Sequence, residues 1–141
     1  MRQLSESART PGSKNLVKNK LSMEFTIEKR ADQIVLISLK GRLIAEYETL
    51  PLAEQIEDLE EEGFTRWIFN LEHLEYMNST GLNFLLKILT RARRMDGEVV
   101  LCALNNLLET LIVTTKLNAF FTITPDIESA LQYFEKEHIQ E

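Results

Sequence analysis

From Met23 onward the chain alternates short apolar runs of strand length with longer stretches whose apolar residues recur at helical spacing, and few folds can absorb that alternation. Phe25, Ile27 and then Ile34-Val35-Leu36-Ile37-Ser38-Leu39 predict two strands, and Ala31-Asp32-Gln33 between them has the length of a hairpin loop. Gly41 is expected to end the second strand. Leu50, Ala53, Ile56 and Leu59 predict a helix reaching Glu62, with Pro51 in its first turn and Gly63 as its stop. Trp67-Ile68-Phe69 reads as a short buried strand. Leu82, Leu85, Leu86, Leu89 and Ala92 form the stripe of a second helix, closed by Arg91, Arg93, Arg94 and then Gly97. Val99 to Leu104 predicts a strand, and Asn105 or Asn106 can cap a helix carrying Leu107, Leu108, Leu111 and Ile112. Phe120-Phe121-Thr122-Ile123 predicts the last strand, and Asp126 opens a final helix with Ile127, Ala130, Leu131 and Phe134.

The resulting order, β-β-α-β-α-β-α-β-α, implies right-handed crossovers. The fold class is α/β: a mostly parallel sheet with an antiparallel edge hairpin and helices packed on it. A length of 141 residues suits one domain, and a hydrophobic fraction of 44% supplies a core. Residues 1–22 differ in kind. They hold Arg2, Arg9, Lys14, Lys18 and Lys20 against Glu6, with Pro11, Gly12 and several serines but no apolar period. They read as a disordered extension or leader, and residues 23–141 as the domain.

Charge sharpens the division. The whole chain carries −6, so the +4 of residues 1–22 leaves −10 on the rest. A folded part this acidic argues against direct nucleic-acid binding, which calls for a basic face. Cys102 is the sole cysteine, so no intrachain disulfide forms and a reducing, cytoplasmic setting is expected. No apolar run approaches the roughly 18 residues of a membrane span.

The informative segment joins the third strand to the second helix: Tyr76-Met77-Asn78-Ser79-Thr80-Gly81-Leu82. In an α/β sheet, loops leaving the carboxyl ends of strands carry function. Asn78 or Ser79 would cap the helix, and Gly81 would let another chain approach closely. A helix start presents free N–H groups and a partial positive charge, so a phosphate on Ser79 would be tolerated there. It would also place a charge of about −1.5 to −2 on a neutral docking patch. An isolated Asn-Ser-Thr-Gly is otherwise an ordinary cap. The Asn78-Ser79-Thr80 match to a glycosylation acceptor fits poorly with a cytosolic composition.

Other chemistry finds little footing. His73 and His138 are separated and read as surface residues, and no metal-ligand cluster is visible. Cys102 reads as inert core. Glu54, Glu57, Asp58, Glu60, Glu61 and Glu62 read as a solvated helix face. Ser79 is no nucleophile elbow, because Met77 stands where the first glycine of Gly-x-Ser-x-Gly belongs. A Gly-rich phosphate loop is absent. No cofactor and no enzymatic activity are expected.

From about Phe25 to Phe134 the chain resembles the STAS domain family and, within it, the single-domain anti-sigma factor antagonists. The words that carry the resemblance are Leu39-Lys40-Gly41-Arg42-Leu43, Phe69-Asn70-Leu71, Leu74-Glu75-Tyr76-Met77-Asn78-Ser79-Thr80-Gly81-Leu82 and Gly97-Glu98-Val99-Val100-Leu101-Cys102. The resemblance implies that Ser79 is phosphorylated by an anti-sigma factor, a serine kinase with a histidine-kinase-like ATPase fold. It implies partner binding through Asn78, Ser79, Thr80, Gly81, Leu82 and Arg42, and restoration by a metal-dependent serine phosphatase. ATP and metal then belong to the partners. The chain departs from the family pattern at Asn78, Asn70 and Ile44, where aspartates are usual. Those departures keep open a STAS subunit that is not phosphorylated, in a lipid-transport complex or signalling scaffold. A small-molecule-binding or enzymatic α/β domain is the third reading.

Overall fold

The structure is a computed structural model and describes residues 22–140, with side chains through Lys136. The expectation for residues 1–22 therefore lies, except for Ser22, outside the described residues. The elements are β1 (Met23–Arg30), β2 (Ile34–Leu43), α1 (Glu46–Glu61), β3 (Arg66–Met77), α2 (Ser79–Arg94), β4 (Glu98–Cys102), α3 (Asn106–Thr114), a 3-10 turn (Leu117–Ala119), β5 (Thr122–Thr124) and α4 (Ile127–Gln140). The expected order holds throughout. One five-stranded sheet runs β1-β2-β3-β4-β5, with β1 antiparallel to β2 and the other pairings parallel.

Strand alternation divides the core. Val35, Ile37, Leu39, Trp67, Phe69, Leu71, Val99 and Leu101 point to one face, which α1, α2 and α3 cover. Ile34, Leu36, Ile68, Val100 and Cys102 point to the other, which Ala130 and Phe134 of α4 cover. Both faces of the central strands are buried, which is why they read as continuous apolar runs.

Several boundaries shift from their expected places. Gly41 does not end β2. It sits at φ +98° inside the strand, at a register irregularity, and a Cβ there would collide with the Ser22 carbonyl oxygen. β3 continues to Met77, so the polar link after Leu71 is strand, because β2 and β3 stay paired as far as Leu43 and Met77. The last strand is Thr122–Thr124 rather than 120–123, since only these residues pair with β4. α1 begins at Glu46, which puts Pro51 in its second turn. There the ring removes the N–H that would have reached the Tyr47 carbonyl.

Two leucines expected in core stripes are exposed. Leu50 is 54% exposed and Leu107 is 53% exposed. Leu52, Ile56 and Leu59 form the buried face of α1, and Leu108 and Ile112 that of α3.

The helix ends follow from backbone geometry. Gly63 at φ +104° closes α1, with Gly63 N–H donating to the Glu60 carbonyl and Phe64 N–H to that of Leu59. At the end of α2 the left-handed residue is Asp96, not Gly97. Gly97 is required for a different reason: a Cβ there would collide with the Thr65 carbonyl oxygen.

Candidate functional site

β2 and β3 end side by side, with Leu43 paired to Met77 and Arg42 to Tyr76. The chain leaving β3 turns at once into α2, and Asn78 forms the turn. Its backbone is extended, at φ −107° and ψ −166°, so it is the cap rather than part of the helix. Asn78 Oδ1 accepts from Gly81 N–H at 3.1 Å, and its carbonyl accepts from Leu82 N–H at 3.0 Å. Its amide Nδ2 donates to the Ile44 carbonyl at 3.1 Å. That last bond ties the start of α2 to the link leaving β2. Only an amide makes both bonds; an ionised carboxylate accepts but cannot donate.

Ser79 is therefore the first residue of α2, and it is exposed. Thr80 beside it is half-buried. The first turn contains no acidic side chain, so the positive end of the helix is uncompensated. Arg42 is exposed, and its guanidinium stands 5.8 Å from the centre of the Tyr76 ring.

Gly81 and Leu82 are buried. The space beside Gly81 is taken by this chain's own β2 and β3: a Cβ would lie 2.5 Å from the Leu43 carbonyl oxygen and 2.9 Å from Met77 Cβ. The expectation that Gly81 admits another chain is thus replaced by a close intramolecular approach. Asn78, Ser79, Thr80 and Arg42 reach the surface, while Gly81 and Leu82 shape the site from beneath.

Asn70, seven residues before the end of β3, is buried, donating to Ser38 Oγ at 3.2 Å and accepting from Glu72 N–H at 3.3 Å. The two asparagines that stand where aspartates are usual thus each use the amide donor.

Sequence reasoning missed the parts played by Ile44, Glu46, Thr49 and Tyr47. Ile44 contributes its carbonyl rather than its side chain, which no side-chain pattern reports. Glu46 and Thr49 of α1 share a cleft with Thr80 and Asn83 of α2. Tyr47 is 70% exposed and, with Leu50, makes the first turns of α1 apolar on the outside. The spacing of Tyr47 and Leu50, three residues apart and off the Leu52–Ile56–Leu59 face, was the available signal.

The remaining candidates have structural settings. Cys102 is buried, and burial first, then Asp126 and Glu72, push its thiol up to about 11. It stays protonated and inert near neutrality. Asp126 caps α4 through Ser129 N–H, at 2.8 Å, and that bond holds its carboxyl below its usual value. His73 is exposed, and the side chain of His138 lies outside the described residues. Arg91 does more than balance a helix end, since it pairs with Glu60 and Glu57 of α1. Glu60 is accordingly half-buried, unlike the solvated face expected of it. Among the described residues no three His, Cys, Asp or Glu side chains gather as a metal would require, and no helix is long and apolar enough to cross a membrane.

Comparison with known proteins places the geometry in context. The STAS domain matches residues 26–130. The fold is similar to that of the anti-sigma factor antagonist SpoIIAA in its unphosphorylated form, with TM-score 0.69 and 20% identity over 80% of this chain and 97% of that one. The phosphorylated form of the Bacillus cell fate determinant SpoIIAA gives TM-score 0.64 and 20% identity, over 79% of this chain and 99% of the other. An anti-sigma factor antagonist from Mycobacterium paratuberculosis gives TM-score 0.61 and 22% identity, over 79% and 93% respectively. At such identities the likeness speaks for the fold.

Proposed function

The chain belongs to the STAS domain family, and on that premise we propose that it is an anti-sigma factor antagonist: a non-enzymatic, cytoplasmic binding module that occupies an anti-sigma serine kinase and is released by phosphorylation at Ser79. The observation that carries this reading is an exposed serine at the first position of a helix whose start holds no acidic side chain.

In the proposed cycle the unmodified loop docks on the kinase, and sigma-factor-dependent transcription follows from the kinase being occupied. The γ-phosphoryl of ATP then passes to Ser79 Oγ, the hydroxyl proton is lost and ADP leaves. The new phosphate carries about −1.5 to −2 and stands where the partner's surface had packed against a neutral hydroxyl. The helix N–H groups and the partial positive charge of α2 accommodate it, so the fold need not change. Asn78 favours that end state, because a neutral amide repels a phosphate less than a carboxylate would. A metal-dependent serine phosphatase hydrolyses the ester and restores docking. ATP and metal are supplied by the partners, and nucleic acid is not contacted.

Incubation with a histidine-kinase-like anti-sigma kinase and ATP should raise the protein's mass by one phosphate. The Ser79→Ala protein should gain none and should keep its affinity for the kinase after ATP is added. Equal incorporation into Ser79→Ala would overturn the site. The two asparagines favour a second reading, an unphosphorylated STAS subunit of a lipid-transport complex or scaffold. Co-purification with transporter ATPase subunits, and no phosphate on Ser79, would select it.

A further inference from the structure

Two adjoining clefts flank α2 on neighbouring faces of the helix. The first is lined by Thr80 and Asn83 near the phosphorylation candidate and then by Lys87, Thr90, Arg91 and Arg94, with Glu46 and Thr49 of α1 opposite. The second, about 500 Å³, lies between the later half of α2 and the 3-10 turn. Leu86, Leu89, Leu117 and Phe120 make it largely apolar, with Arg93 and Arg94 on its rim. Leu86, Thr90 and Arg94 line both and form the ridge between them, so the two adjoin as one broad track across α2. α2 has 16 residues, which makes the track roughly 24 Å long at 1.5 Å per residue.

Charge and exposure along this track are unlike the rest of the domain. Residues 23–141 carry −10, yet this face gathers four cations. Arg91 is paired with Glu57 and Glu60, and Arg93 with Glu98 and the Phe120 carbonyl. Lys87 and Arg94 have no ion-pair partner among the described residues. Phe120 is 52% exposed and lines the second cleft with Arg94, so water meets an aromatic ring beside an unpaired guanidinium.

We propose that this track is a second anchoring site for the same kinase partner, and that its occupant is an acidic amphipathic segment. Glutamates or aspartates of that segment face Lys87 and Arg94, and a leucine or phenylalanine fills the cleft over Phe120. The proposal rests on the docking role assigned to the Ser79 loop, and it adds a consequence. The distal cleft lies well over a helical turn from Ser79, so a phosphate there removes the first anchor and leaves the second. The second anchor alone is too weak to hold the complex, so phosphorylation still releases the chain. Buried aromatic anchors flanked by complementary charge are how such segments gain both affinity and register.

The probe is a fluorescein-labelled helical peptide about four turns long, with glutamates in its first turns and Leu and Phe in its last. Titrated into the isotope-labelled protein, it should bind saturably and shift the amide signals of Leu86, Leu89, Leu117 and Phe120. Phe120→Asp and Arg94→Glu, both at exposed positions, should each weaken binding about tenfold, or about 1.4 kcal/mol, with thermal unfolding unchanged. A peptide with lysines in place of the glutamates should bind the parent protein about tenfold more weakly and recover on Arg94→Glu. Ser79→Asp should bind the acidic peptide as the parent does.

Equal binding of both peptides, insensitivity to Phe120→Asp, or signal shifts confined to other faces would overturn the proposal. Concentration-dependent shifts at Phe120 in the absence of peptide would also overturn it, in favour of a second copy of this chain. None of these outcomes depends on phosphate reaching Ser79. A failure here is therefore distinct from a failure of the phosphorylation reading.

Discussion

Asn78 and Asn105 open α2 and α3 with the same set of bonds. Each has an extended backbone, and each Oδ1 accepts the N–H three residues on, from Gly81 at 3.1 Å and Leu108 at 2.8 Å. Each carbonyl accepts the N–H four residues on, in both cases at 3.0 Å. Each amide also ties down a distant link, Asn78 to the Ile44 carbonyl and Asn105 to those of Leu74 and Glu75. The two helices differ in the residues just past the cap. After Asn105 comes an amide, and Glu109 compensates the first turn of α3. After Asn78 comes an exposed hydroxyl, and no acid compensates the first turn of α2. Capping is thus common to both sites, and the room for an added anion belongs to one. A helix start becomes a switch through its first exposed side chain and its unspent charge, not through its cap.

The largest effect should come from exchanging those first side chains. Ser79→Ala should abolish phosphate uptake from the kinase, whereas Asn106→Ser, which puts a serine after the second cap, should gain no phosphate beyond the one on Ser79. Mass spectrometry of both proteins decides it, and labelling of the new serine would break the distinction.

Next comes the third helical position. Gly81→Ala forces a methyl against the Leu43 carbonyl and should cost about 1–3 kcal/mol by the usual scale of overpacking, read by urea unfolding. The matching position in α3 is Leu108, which is fully buried, so the pressure of β2 on α2 is a feature of the first cap alone.

The caps themselves should prove alike. Asn78→Ala and Asn105→Ala should each lose about 0.5–2 kcal/mol in chemical denaturation, but only Asn78→Ala should weaken partner binding. Asn78→Asp restores the residue usual in the family. It keeps the acceptor and gains about 0.3–1 kcal/mol from the helix dipole, while the bond to the Ile44 carbonyl, worth about 1 kcal/mol, is lost. Stability should therefore stay nearly level, and phosphate transfer measured against the parent shows what the amide does to the kinase reaction. The smallest change is Glu109→Gln, which should cost α3 about 0.3–1 kcal/mol and leave Ser79 chemistry unaltered.

Much of this site was legible in the sequence. Asparagine before Ser-Thr-Gly after an apolar strand points to a capped helix start at a sheet edge, because both signals are local. The element order was legible for the same reason: alternation of period two and recurrence at three and four residues report which side of each element meets the core. Leu50 and Leu107 show the limit. Each sits one or two residues from a true core position, and only the neighbouring layer decides which leucine of a crowded stretch is covered. Gly41, Gly81 and Gly97 show it again. Their glycine character serves contacts with Ser22, Leu43 and Thr65, partners 19, 38 and 32 positions away in the chain.

By itself, then, the sequence determined an α/β chain and two helix starts capped within one residue, at Asn78 or Ser79 and at Asn105 or Asn106. The tertiary structure alone decided that the strands lie in sequential order, that β3 runs on to Met77, and that the Asn78 amide holds Ile44. It also decided that Arg91 is neutralised by α1 while Arg94, beside Phe120, has no ion-pair partner among the described residues. The physical reason is range. Caps, periodicity and charge runs act within a few residues, whereas close backbone approach and ion pairing depend on which distant segments the folded sheet makes neighbours.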